Sequence, residues 1–149
     1  LKTLTAMANT DCTKNVYIII GIADNENAVK DFENHYNVHC VTINRSYVGI
    51  DAEVEKYFNN NSDNYENAVK NVIEHCPIED SVKNDILCNS GTIEYCNRSL
   101  MILKYKNPGK VVKYGGKAYV RHFSNNSFLV EETEAYDDLV IKIYEHTKN

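Results

Sequence analysis

The amino-acid sequence predicts an α+β fold, a single domain with a small mixed sheet, a C-terminal β-hairpin and packed helices. Three observations carry that expectation. Apolar side chains recur at helical spacing in several segments, most clearly at Tyr136, Leu139, Val140, Ile143 and Tyr144. Short apolar runs of strand length, residues 16–20 and 100–103, stand between those segments. Gly115 and Gly116 sit between two extended stretches, where glycine supplies the positive φ that a tight hairpin turn requires.

In chain order, Leu1, Leu4 and Ala8 read as the end of a helix. Residues 16–20 are rich in β-branched side chains and read as an interior strand that releases the chain into a loop at 24–27, with 38–43 a second extended stretch. A short helix is expected over 28–35. Asp51 is expected to cap a helix over 52–58 whose buried face is Val54, Tyr57 and Phe58. After the polar break at 59–63, Asp63 and Glu66 form a capping box before a helix carrying Tyr65, Ala68, Val69, Val72 and Ile73, which Pro77 stops. A shorter helix over 81–88 buries Val82, Ile86 and Leu87 ahead of a turn at 89–91. The strand at 100–103 continues so that Lys104 and Lys106 emerge on one face. Residues 111–114 and 117–123 form the hairpin. The closing helix lies within 131–149, with Glu131 and Glu132 near its positive end and Lys142 and His146 near its negative end. No internal repeat or boundary divides the chain, so one domain over 1–149 is expected.

The composition narrows the function classes. The chain has 149 residues, 43% of them hydrophobic and 25% charged, with 2 prolines, which excludes a disordered tail, a collagen-like fibre and a large multidomain machine. No run approaches the roughly 18 apolar residues of a spanning helix, and residues 1–9 carry no basic leader, so no membrane association is expected. Cys12, Cys40, Cys76, Cys88 and Cys96 are odd in number and form no CxxC pair, which points to a reducing, cytoplasmic compartment rather than a disulfide framework. His75, Cys76, Cys88 and Cys96 carry zinc-ligand chemistry at irregular spacing, and buried or partly exposed thiols are the simpler reading. The Asn-x-Ser patterns at Asn44, Asn60, Asn97 and Asn125 are expected by chance in an asparagine-rich chain.

The formal charge of −5 conceals an asymmetry: residues 95–130 hold 7 basic and no acidic side chains, while residues 1–94 hold 7 basic against 15 acidic. Arg98, Lys104, Lys106, Lys110, Lys113, Lys117 and Arg121 therefore generate a local positive field if they share a surface. Lys117, Tyr119 and Arg121 alternate, so a strand presents them on one face, where cations meet phosphates and an aromatic ring covers a sugar or base. The competing reading is a solvated sheet edge with Tyr119 in the core. No Walker pattern accompanies the glycine pair, and no cofactor is implied.

Two segments resemble a known family. Met7-Ala8-Asn9-Thr10 followed by the run 16–24, Val-Tyr-Ile-Ile-Ile-Gly-Ile-Ala-Asp, resembles the opening of the Alba-like DNA-binding domain of the Schlafen group, with its Ala-x-Ala-Asn helix end, hydrophobic strand and Gly-Val-Asp-like turn. Pro108, Val111, Tyr114 and the run 115–121, Gly-Gly-Lys-Ala-Tyr-Val-Arg, with Ser124 and Asn125, resemble that domain's Pro-x-x-x-x-Lys-Gly-x-x-Tyr-x-Arg-x-Gly-Ser ending. The similarity extends to about residue 128. Asp11 and Cys12 stand where the family has a glycine pair, the interval 25–47 is longer than the usual turn, and the family's Glu-x-x-x-Phe-Lys-like entrance is not in this sequence.

The resemblance implies DNA or RNA binding, and relatives with additional acidic constellations cleave RNA. Together with the charge pattern it nominates Asn9, Lys104, Lys106, Lys113, Lys117, Tyr119, Arg121 and Asn125 as nucleic-acid contacts, with Asn9 and Asn125 either bonding phosphate oxygens or fixing nearby turns. Two alternatives remain: a structural domain that binds protein partners or a second copy of itself, and a metal-dependent RNase built on Asp24, Glu26 and Asp51.

Overall fold

A computed structural model describes residues 1–147 and has the expected α+β class: the described residues form six helices and nine strands, the strands in three small sheets. In order they are α1 (Lys2–Thr10), β1 (Asn15–Ile20), β2 (Ile22–Ala23), α2 (Glu26–Tyr36), β3 (Val41–Thr42), β4 (Ser46–Tyr47), α3 (Asp51–Phe58), α4 (Ser62–Glu74), α5 (Asp80–Asn89), β5 (Gly91–Tyr95), β6 (Arg98–Lys106), β7 (Lys113–Tyr114), β8 (Lys117–His122), β9 (Asn125–Leu129) and α6 (Glu134–Thr147). The chain makes two compact units, one of residues 1–17, 73–89 and 104 onward, the other of residues 18–72 and 90–103.

In the first unit β8 is the centre of the antiparallel sheet β7-β8-β9. Its alternation decides the packing. Ala118 and Val120 are buried, and Val120 joins Cys12 with Leu139 and Ile143 of α6, with Val111 and Leu129 against them. Each aliphatic side chain removed from water there contributes about 1.5–3 kcal/mol, which is how the apolar stripe of α6 is held. α1 runs along β8, with Leu4, Ala6 and Ala8 fully buried. The small alanines allow the helix to approach the strand closely.

The second unit contains the sheet β2-β4-β3 and the hairpin β5–β6, whose turn Cys96–Asn97 takes φ values of 52° and 56°. At Gly21 (φ 106°) a Cβ would lie 2.8 Å from Leu100 Cδ2 and 3.2 Å from the Gly49 Cα, so the two glycines approach backbone to backbone. The approach lets the Val48 and Gly49 N–H groups both donate to the Gly21 carbonyl at 2.9 Å. Tyr65 is buried against Phe58, ring centroids 5.3 Å apart. Burial, with the Glu53 carboxylate nearby, pushes its phenol up to about 12.

Several expectations about local structure change. Asp51 does not cap α3: Ile50 occupies the cap position, and the Asp51 carboxylate instead accepts from the Ser99 N–H at 2.9 Å and the Ser99 hydroxyl at 2.5 Å. Asn61 rather than Asp63 opens α4, accepting from the Asn64 N–H at 3.1 Å, and Glu66 accepts from Thr92 instead of closing a capping box. The extended stretch at 38–43 shrinks to β3, because the Val38 and Cys40 N–H groups are drawn to Glu33 at the end of α2. β5 and β9 appear where no strand was expected.

Candidate nucleic-acid interface

The turn Gly115–Gly116 has φ values of 58° and 74°, and it closes the pair Tyr114↔Lys117. That register places Lys117, Tyr119 and Arg121 on the face opposite Ala118 and Val120. On β9, Phe128 lies directly across from Tyr119 and Asn126 across from Arg121, so both share the face. The Tyr119 and Phe128 rings meet at 5.8 Å between centroids. Lys2 of α1 extends its ammonium to 4.1 Å from the Tyr119 centroid, and the Lys117 ammonium lies 5.3 Å from that of Phe128. Arg121 Nη1 donates to Asn126 Oδ1 at 3.0 Å, and Asn126 Nδ2 donates to Thr3 Oγ1 at 3.1 Å.

Among the described residues, Lys2, Lys117 and Arg121 have no carboxylate within ion-pair distance. Their charge is available to a ligand. Other cations of the basic segment are not equivalent. Lys113 pairs with buried Ala118, which puts it on the other face, and its ammonium lies 2.6 Å from Glu131 Oε1. The hydrogen bond with Glu131 raises its pKa above the ordinary lysine value. Lys110 is ion-paired with Glu79. Lys104 and Lys106 lie on β6 in a different sheet, Lys104 half-buried and engaged, Lys106 exposed.

Asn9 is fully buried and bonds only backbone. β7 is two residues long, so the Tyr119 and Arg121 backbone groups that point to its side have no strand to meet. Asn9 fills the gap. Its Nδ2 donates to the Val112 carbonyl at 2.8 Å and the Tyr119 carbonyl at 2.9 Å, while its Oδ1 accepts from the Val112 N–H at 2.9 Å. Thr10 continues the edge, accepting from the Arg121 N–H at 2.6 Å and donating to the Ala6 carbonyl at 2.8 Å. The nominated contact at Asn9 is therefore corrected: with no exposed surface, its amide builds the interface from behind. Asn125 is exposed and pairs with His122 beside the two-residue turn Phe123–Ser124.

Lys2, Phe123 and Phe128 were not among the residues singled out from the sequence. Phe128 was recoverable in principle, since a second two-residue turn after His122 brings it opposite Tyr119. Lys2 was not, because its position depends on how α1 docks.

The acidic candidates do not assemble. Asp24 and Glu26 are exposed, Asp51 is committed to Ser99, and among the described residues no group of three His, Cys, Asp or Glu side chains is arranged to hold a metal ion. A separate cleft of about 740 Å³ in the first unit is bordered by Cys12, Asp85, Lys106 and His146. Among the described residues the buried Tyr105 hydroxyl there has no hydrogen-bond partner, and burial together with Asp85 and Glu79 raises its pKa. No helix among the described residues is long and apolar enough to cross a membrane. No protein-family model, curated protein or solved structure matches this chain.

Proposed function

We propose that this chain is a nucleic-acid-binding or regulatory module that holds the phosphate backbone on the outward face of β7-β8-β9. The observation that carries the reading is the co-facial set Lys117, Arg121 and Lys2, none paired with a carboxylate among the described residues, around Tyr119 and Phe128. The net charge of −5 does not oppose it at close range, because charges farther than about 8 Å away are largely screened at physiological salt. The same surface includes the Tyr-x-Arg and Gly-Lys residues on which the resemblance to the Alba-like domain of the Schlafen group rests, and that kinship is part of the proposal. Five free cysteines support a cytoplasmic setting.

Salt titration with labelled single- and double-stranded DNA and RNA tests the reading. Joint Lys117→Ala and Arg121→Ala substitution, with folding retained, is expected to weaken binding at least tenfold and to reduce the salt slope by about 2. Equal binding by that variant rejects the surface.

A second reading has its own observation. All five residues of β5 are exposed, and β5 is the edge of its sheet, with Ile93 45% and Tyr95 47% exposed. An open edge of this kind pairs with another strand, so self-association through β5 is the alternative, and concentration-dependent sedimentation detects it.

A further inference from the structure

The sheet face and the tip of its second hairpin differ in what they offer a nucleic acid. On the face, the Lys2 ammonium covers the Tyr119 ring and the Lys117 ammonium the Phe128 ring, at 4.1 and 5.3 Å from the centroids. Cations stand where a base would stack, so the face presents charge. At the tip, Phe123 is 102% exposed, and its φ of 51° lies in the left-handed region that bulky residues avoid. Glycine is the low-strain residue for such a position, and the neighbouring turn uses two of them. A phenyl ring that is both strained and fully in water is held there by nothing among the described residues.

We infer that Phe123 is a stacking wedge for single-stranded nucleic acid, inserted between successive bases while Arg121 and Lys117 hold the adjoining phosphates. This rests on the phosphate-binding reading above. The spacing suits it: Phe123 follows Arg121 by two residues, about 7 Å along an extended chain, close to the length of one nucleotide of an extended strand. Stacking on an aromatic ring tolerates any base, and a single strand offers open base steps without the cost of unstacking a duplex.

The chain contains no tryptophan, so Phe123→Trp places a unique fluorophore at the tip. The probes are a single-stranded oligonucleotide of mixed sequence and the same sequence as a duplex. Wild type is expected to favour the single strand. Phe123→Ala is expected to bind it roughly tenfold more weakly with an unchanged salt slope, and Phe123→Trp to retain binding with its emission quenched on saturation. Because the side chain is fully exposed, melting temperature should not fall in either variant. Loss of binding in the Lys117 and Arg121 double variant with Phe123→Ala indistinguishable from wild type, or with Phe123→Trp emission unmoved, overturns the wedge and leaves the phosphate surface standing. An equal Phe123→Ala loss on the duplex overturns the single-strand preference. Absence of wild-type binding to either probe, or indifference to the double variant, defeats the surface and the wedge together.

Discussion

β5 and β8 each have backbone groups that no full-length neighbouring strand meets, and the chain treats them in opposite ways. In the β5–β6 hairpin the closing pair Tyr95↔Arg98 turns the N–H and C=O groups of Thr92 and Glu94 outward, to the open edge. On the β7 side of β8 the Tyr119 carbonyl and the Arg121 N–H are instead taken up by Asn9 and Thr10. The difference teaches what the polar end of α1 is for. It finishes a sheet that β7 is too short to finish, and so fixes the strand that carries Lys117, Tyr119 and Arg121.

The sharpest way to break that comparison is to remove the side chain that closes the β8 edge. Asn9→Ala strips partners from the Val112 N–H, the Val112 carbonyl and the Tyr119 carbonyl in a fully buried place. Each unsatisfied group costs about 1–3 kcal/mol, and partial relaxation brings the expected loss to about 3–5 kcal/mol. Urea unfolding reads it directly. A loss below about 1 kcal/mol would show that the sheet does not depend on Asn9.

Thr10→Val sharpens the same point at lower stakes. The isosteric change keeps the volume but removes the acceptor of the Arg121 N–H, at a half-buried position that water reaches in part. About 1–2 kcal/mol is expected from urea unfolding. Nucleic-acid affinity, measured where the variant is folded, should change less than in the Lys117 and Arg121 double variant, since Thr10 supports the strand and adds no charge.

Much of this was legible in the sequence, and what was not has physical causes. The helices α3 to α6 and the Gly115–Gly116 turn follow from periodicity and from the φ demands of a tight hairpin, but the expected buried face of α3 is corrected: Val54 is buried, while Tyr57 is 55% exposed. β9, Asn-Asn-Ser-Phe-Leu, carries little strand propensity and exists because β8 pairs with it. The separate fate of Lys113 was available in principle: a two-residue turn sets 114 against 117, hence 113 against 118, and so Lys113 against the buried parity. Its pairing with Glu131 was not, nor was the burial of Asn9, whose partners lie 103 and 110 residues away. Local pattern names the residues of this surface, and long-range contacts decide which of them face out.

The smallest effect on stability, and the most informative about the open edge, is expected from Ile93→Lys. Ile93 is 45% exposed on β5 across from Leu100, so its replacement should alter folding stability by no more than about 0.5 kcal/mol. A lysine there adds charge and a long, solvated side chain, the device by which natural edge strands refuse further pairing. If the wild-type chain sediments with a concentration-dependent increase in mass, Ile93→Lys should abolish it while Asn9 and Thr10, on the closed edge, have no part in it. If association persists in Ile93→Lys, β5 is not the contact, and the contrast between an open and a closed edge has no consequence for assembly. An association that also vanishes in the Lys117 and Arg121 double variant would instead tie it to the basic face, with the acidic side chains of a second copy standing in for phosphate.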